Sequence, residues 1–237
     1  MATGGRRWVR RGLVGTGVGV VLLVVVGVVG FVGWKVWFPH HRPALRDGER
    51  YGVDVSNHQG AIDWEAVAAD DVDFAYLKAT EGGDHVDQRF AANWDGARAA
   101  GLEIGAYHFF TLCRPGAEQA ANFLATVPGG GDLAPALDLE LAGNCAARPS
   151  AADVRREVRT FVDAVEDETG ATVVLYVLDD WEDRYPSRDL GDRDRPLWHR
   201  RIGPLRPGGD WTLWQYTGIA QVDGIHGGVD LNLMRDL

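Results

Sequence analysis

Ala136-Leu137-Asp138-Leu139-Glu140-Leu141 is a short apolar run that carries two carboxylates two residues apart. In a strand, side chains alternate faces, so Asp138 and Glu140 point one way and Leu137, Leu139 and Leu141 the other. Acids placed side by side in an otherwise apolar strand raise each other's cost of ionisation. That effect keeps a carboxylic acid protonated near neutral pH, as a general acid requires.

The same alternation recurs in two distant segments. Asp54 and Ser56 alternate with Val53 and Val55, and Asp230 and Asn232 alternate with Val229, Leu231 and Leu233. If the three polar faces converge, three aspartates and one glutamate meet in one cleft. Glycoside hydrolysis uses such a meeting: one acid protonates the leaving oxygen, and carboxylate charge stabilises an oxocarbenium-like centre or activates water. Taken singly, Asp54 or Asp230 is equally well explained as a strand-end residue bonded to backbone amides.

Working outward, strand-like and helix-like segments alternate. Strands are expected at 52–56, 73–80, 104–111, 134–141 and 172–177, and helices at 63–69, 87–100, 115–127, 150–169 and 179–185. The clearest helix starts at Ser150, which forms a capping-box pattern with Asp153. It carries one apolar stripe (Val154, Val158, Phe161, Val162, Val165) and closes at Gly170. Beyond it, short strand candidates at 196–199, 211–217 and 228–231 have little helix between them. Five β/α alternations followed by short strands predict a barrel-like α/β fold. Functional residues then belong at the carboxyl ends of the strands, where Asp54, Glu81, Tyr107, Asp138 and Glu140 fall. Cys113 and Cys145 follow the third and fourth strands, so their loops would share one rim; a disulfide is expected, with two separate buried thiols as the alternative.

The start of the chain differs from the rest. Gly12 to Trp34 holds no charged residue and is mostly Val, Leu, Gly and Phe, long enough to cross a bilayer. Arg6, Arg7, Arg10 and Arg11 precede it, and Trp34, Trp37 and Phe38 follow as an aromatic belt. The expected organisation is a basic cytoplasmic tail (1–11), a transmembrane signal-anchor (12–34), a linker (35–50) and a folded domain (51–237) outside the cell. Secretion after cleavage of the apolar segment is the rival. Removing Arg6, Arg7, Arg10, Arg11 and Lys35 leaves 19 basic against 34 acidic residues, a formal charge of about −15. Such a surface argues against nucleic acid as a partner.

Six motifs in order make the reading specific. They are Gly52-Val-Asp-Val-Ser-Asn-His-Gln-Gly60, Phe74-Ala-Tyr-Leu-Lys-Ala-Thr-Glu-Gly82, Gly105-Ala-Tyr-His-Phe109, Ala136-Leu-Asp-Leu-Glu140, Trp214-Gln-Tyr-Thr217 and Gly228-Val-Asp-Leu-Asn232. From about Tyr51 to Leu237 the chain resembles glycoside hydrolase family 25, the lysozymes (N-acetylmuramidases) of the Chalaropsis type. The resemblance implies a flattened (β/α)5β3 TIM-like barrel. It implies cleavage of the β-1,4 bond between N-acetylmuramic acid and N-acetylglucosamine in peptidoglycan. Separately, a monomer with no cofactor and no metal is expected. The resemblance also implies that Glu140 is the general acid, that Asp138 is the second central carboxylate, and that Asp54 and Asp230 line the cleft. Tyr107, Lys78, Glu81, Trp198, Trp214, Gln215 and Tyr216 become substrate-binding or supporting residues. One departure stands out. The family usually has a small residue soon after the tryptophan of the sixth strand, whereas Trp198 is followed by His199-Arg200-Arg201.

Two other classes compete. A metal-dependent polysaccharide deacetylase would draw ligands from His58, His85 and His108 with Asp54, although no His-x-His or His-x₃-His spacing occurs. A catalytically inactive peptidoglycan-binding module would keep the aromatics and lose the acids, yet all four acids are present.

Overall fold

A computed structural model describes residues 5–191 and 194–235; the ends of the expected tail (1–4) and of the folded domain (236–237) lie outside them. The chain divides into two compact units, residues 1–42 and 43–237. The first is one helix, α1 (Gly5–Trp37), followed by a 3-10 turn at Phe38–His40 in which Phe38 stacks on Trp34. Its aliphatic side chains are exposed from Val21 to Val36. By length and composition this helix can cross a membrane, and a signal sequence passes the same test.

The second unit is a closed barrel. Its strands are β1 (Glu49–Val55), β2 (Phe74–Glu81), β3 (His85–Val86), β4 (Glu103–Phe109), β5 (Ala136–Leu139), β6 (Val174–Val177), β7 (Leu197–Arg200), β8 (Leu213–Ala220) and β9 (Val229–Arg235). Around the barrel they run β1-β9-β8-β7-β6-β5-β4-β2, and pairing of β1 with β2 closes the ring. All neighbours in the ring are parallel except β9, which is antiparallel to both β8 and β1. The two-residue β3 adds to β2 at Thr80 and Glu81, beyond the last β1–β2 pair at Val55 and Leu77.

Helices α2 (Trp64–Ala69), α3 (Phe90–Ala99), α4 (Gly116–Thr126), α5 (Ala151–Thr169) and α6 (Asp179–Arg184) follow β1, the β2–β3 hairpin, β4, β5 and β6 in turn. The five β/α units and three further strands match the architecture expected from the sequence. Local chemistry sets the helix ends. Asp63 caps α2 by accepting from the Ala66 amide at 3.2 Å. Ser150 caps α5 by accepting from the Asp153 amide at 3.2 Å, and Gly170 ends that helix in the left-handed region at φ 71°.

Alternation assigns the two faces of every strand. His108 on β4 stacks on Phe161 of α5 at 4.8 Å and meets Phe123 of α4 edge-on at 6.1 Å, so that face packs on the helices. Leu137 pairs with His108 in register and faces the same way. The opposite face fills the barrel interior. There Phe74, Tyr76, Ala136, Val174, Tyr176, Trp198, Leu213 and Met234 form one buried cluster. Glycines make room for the rings: a Cβ on Gly52 would sit 2.3 Å from Phe74 ring carbons, and one on Gly105 would sit 2.7 Å from the Tyr76 ring. The Tyr76 hydroxyl donates to Ala134 O at 3.0 Å.

Candidate active site

The aromatic plug occupies only part of the interior. Towards the carboxyl ends of the parallel strands the inward side chains become acidic. Asp54 is the next inward residue of β1 after Gly52, and Asp138 follows Ala136 on β5. Glu140 lies one residue past β5 on the same alternation. Because β9 runs antiparallel, Asp230 near its start reaches the same rim, directly opposite Asp54. All four carboxylates line one cavity of about 310 Å³. A second lobe of about 290 Å³ shares them, together with Tyr107 and Ala142. The site is thus a two-lobed groove with the acids at its waist.

The walls differ. Trp198, Tyr176, Leu178, Gln215 and Arg200 line the first lobe only. Ser56, His58, Lys78, Glu81 and Phe109 line the second only. In that second lobe Lys78 Nζ donates to Glu81 Oε2 at 2.7 Å and lies 4.8 Å from the Phe109 ring centroid. The loop after β1 is held by Asp87, which accepts from the Asn57 amide at 2.8 Å and from its Nδ2 at 2.9 Å.

A hydrogen-bonded floor orients Asp54. Trp198 Nε1 donates to Asn232 Oδ1 at 2.9 Å, and Asn232 Nδ2 donates to Asp54 Oδ2 at 2.7 Å. Gln215 Nε2 donates to the same oxygen at 3.4 Å, while the Tyr176 hydroxyl donates to Gln215 Oε1 at 2.8 Å. Asp138 differs: its buried Oδ1 has no hydrogen-bond partner and borders the groove.

Burial is the largest influence on all four acids, and it raises each pKa. Asp230 is pushed up to about 6, with the Arg200 cation pulling the other way. Asp54 is raised by burial and then by the Asp230 charge, against the hydrogen bonds from Asn232 and Gln215. Asp138 is raised by burial and then by Glu140, with Lys78 opposing. Glu140 is raised by burial, with Arg200 as the strongest opposing influence. The Tyr107 phenol is also raised, by burial and then by Asp54, Asp138 and Asp230, so it stays a neutral donor. The arrangement therefore holds a carboxylic acid protonated towards neutral pH beside groups that can carry negative charge.

Among the residues singled out from sequence, Asp54, Asp138, Glu140, Asp230, Tyr107, Lys78, Glu81, Trp198 and Gln215 meet at the groove. Trp214 and Tyr216 do not line it; of the two places expected for them, substrate-binding or supporting, their burial behind β8 fits the supporting one. Alternation along β8 turns Gln215 inward and its neighbours outward. Trp214 is fully buried there: its Nε1 donates to Arg201 O at 2.8 Å, Trp211 meets it edge-on at 6.0 Å, and Arg206 lies 5.6 Å from its ring. Tyr216, also fully buried, packs edge-on against Trp214 at 5.6 Å. These rings pack against each other on the outer side of β8. His108 likewise faces the helices, bonded to Thr80 and Gln119, and does not join Asp54. Cys113 and Cys145 form a disulfide at the rim. Sequence reasoning missed Tyr176, whose pairing with Asp138 across β5 and β6 is a matter of register.

A closed β/α barrel with acids gathered at the carboxyl ends of its strands defines a glycoside hydrolase. The chain belongs to glycosyl hydrolases family 25, whose profile matches residues 53–225. It is 37% identical over 195 residues to the uncharacterized protein YegX of Escherichia coli O157:H7, covering 78% of this chain and 69% of that one. It is 34% identical over 197 residues to Lysozyme M1 of Streptomyces globisporus, covering 76% and 66%. A family 25 glycosyl hydrolase from Bacillus anthracis superposes with a TM-score of 0.74 at 31% identity, covering 84% of this chain and 94% of that one.

Proposed function

We propose that this protein is a peptidoglycan hydrolase of the lysozyme type. It cuts the β-1,4 bond between N-acetylmuramic acid and N-acetylglucosamine. The observation that carries the reading is the convergence of Asp54, Asp138, Glu140 and Asp230 in one groove. The similarity to Lysozyme M1 supports the substrate class.

Glu140 is the general acid. It stands where the lobes meet, and burial favours its protonated form. Asp138 is the second central carboxylate. Its unpartnered Oδ1 favours a course in which the substrate's own acetamido N–H donates to it while the acetamido oxygen attacks. Asp54 and Asp230 supply negative potential beneath the reacting sugar, and Tyr107 donates a hydrogen bond to it. Lys78, Glu81, Trp198 and Gln215 shape the two lobes.

The apolar helix serves as a signal-anchor spanning 12–34, with residues 1–11 inside and the catalytic domain, 51–237, outside on the 35–50 linker. The enzyme works as a monomer on local wall material. The test is digestion of purified peptidoglycan by the full-length protein in detergent, followed by borohydride reduction of the new ends. Muramitol is expected; glucosaminitol, or no new reducing ends, overturns the assignment.

A further inference from the structure

The groove repels acidic ligands, because four carboxylates line it and the chain beyond residue 35 carries about −15. One cation stands against that background. Arg200, the last residue of β7, pairs in register with Gln215 and is the only basic side chain among the described residues lining the first lobe. It is solvent-exposed, and among the described residues its guanidinium makes no hydrogen bond and no ion pair. Lys78, on the other side of the waist, is already engaged by Glu81.

The charge of Arg200 favours the ionised forms of both Glu140 and Asp230. Exposed on the groove wall, its guanidinium has donors available to a ligand seated there. The alternation that turns Trp198 into the barrel turns Arg200 the same way, two residues nearer the rim. A sugar seated in the first lobe therefore has both Trp198 and Arg200 among its walls. A planar five-donor fork suits a carboxylate.

We propose that Arg200 is a specificity residue that binds a carboxylate carried by the substrate sugar seated in the first lobe. It offsets the repulsion of the four acids and selects acidic over neutral glycans. The inference rests on the peptidoglycan reading, and that polymer offers two such acids: the lactyl carboxylate of peptide-free strands and the carboxylates of stem peptides.

The test compares full-length wild type, Arg200→Gln and Arg200→Lys on peptide-free strands and on stem-bearing strands. Each substrate is also supplied with its carboxylates converted to amides. Wild type is expected to prefer the acidic form by about tenfold in kcat/KM on one of the two substrates, which identifies the acid. In Arg200→Gln that ratio falls to about one, and Arg200→Lys restores part of it. The proposal is overturned if the ratio survives in Arg200→Gln, if the variant loses equally on both forms, or if wild type shows no preference. Wild type that cuts none of the substrates overturns the peptidoglycan reading as well, a result distinct from the other three.

Discussion

The two ends of the barrel interior are built to opposite rules. At the amino ends of the parallel strands the space is filled by Phe74, Leu213, Met234 and the ring of Tyr76, and Gly52 and Gly105 carry no side chain so that the rings fit. At the carboxyl ends the same inward positions hold Asp54, Asp138, Glu140 and Asp230 around open space. The first end gains stability by burying apolar surface; the second loses some by burying like charges. Chemistry sits where the packing stops, and the packed end keeps the charged end in shape.

The contrast can be broken most sharply at Glu140. Glu140→Gln removes the proposed proton donor but keeps shape, so turnover falls roughly 10²–10⁴-fold while thermal unfolding is preserved. Reducing-end release alongside a melting curve checks this, and near-normal turnover would remove Glu140 from its role. At the packed end, Gly52→Ala drives a methyl into the Phe74 ring. The expected loss is about 3 kcal/mol, or roughly 6–12 °C in Tm, by calorimetry. An unchanged Tm would mean that the plug is slack.

Between the two ends, Asn232→Ala cuts the link from Trp198 to Asp54. It is expected to lower kcat roughly 10–100-fold by releasing Asp54. An equal loss from Thr217→Ser, away from that chain of hydrogen bonds, would deny it a special part. The smallest effect concerns the cost of charge itself. Asp138 has a raised pKa in the fold, so its contribution to stability is full below the ordinary carboxylate range and is lost as pH climbs through the folded value. Asp138→Asn removes that loss. Its Tm should exceed that of wild type at pH 8 and match it at pH 3. A gap of the same size at both pH values would show that ionisation is not the cause.

Elements governed by local rules were legible in the sequence. The alternation in Ala136–Leu139 and the capped, striped helix Ala151–Thr169 announce themselves within a few residues. The aspartates could be listed but not gathered, since their meeting depends on β9 returning antiparallel between β1 and β8. Register also hid Tyr176, and the two-residue β3 is too short to leave a pattern. The resemblance puts Trp214 and Tyr216 among the substrate-binding or supporting residues without saying which. Strand alternation turns them to the outer wall. Arg200 was visible only as a departure from a familiar motif, and its place beside the acids needed the fold.

Closure of the ring through β1 and β2 has a consequence for crowded surroundings. Every barrel strand has a partner on both sides, so a second copy finds no long row of free amides and carbonyls to extend. The remaining flank among the described strands is that of β3, His85–Val86, too brief to template intermolecular sheet growth. A domain held at high local density can therefore keep its acidic cleft open without its backbone seeding aggregates.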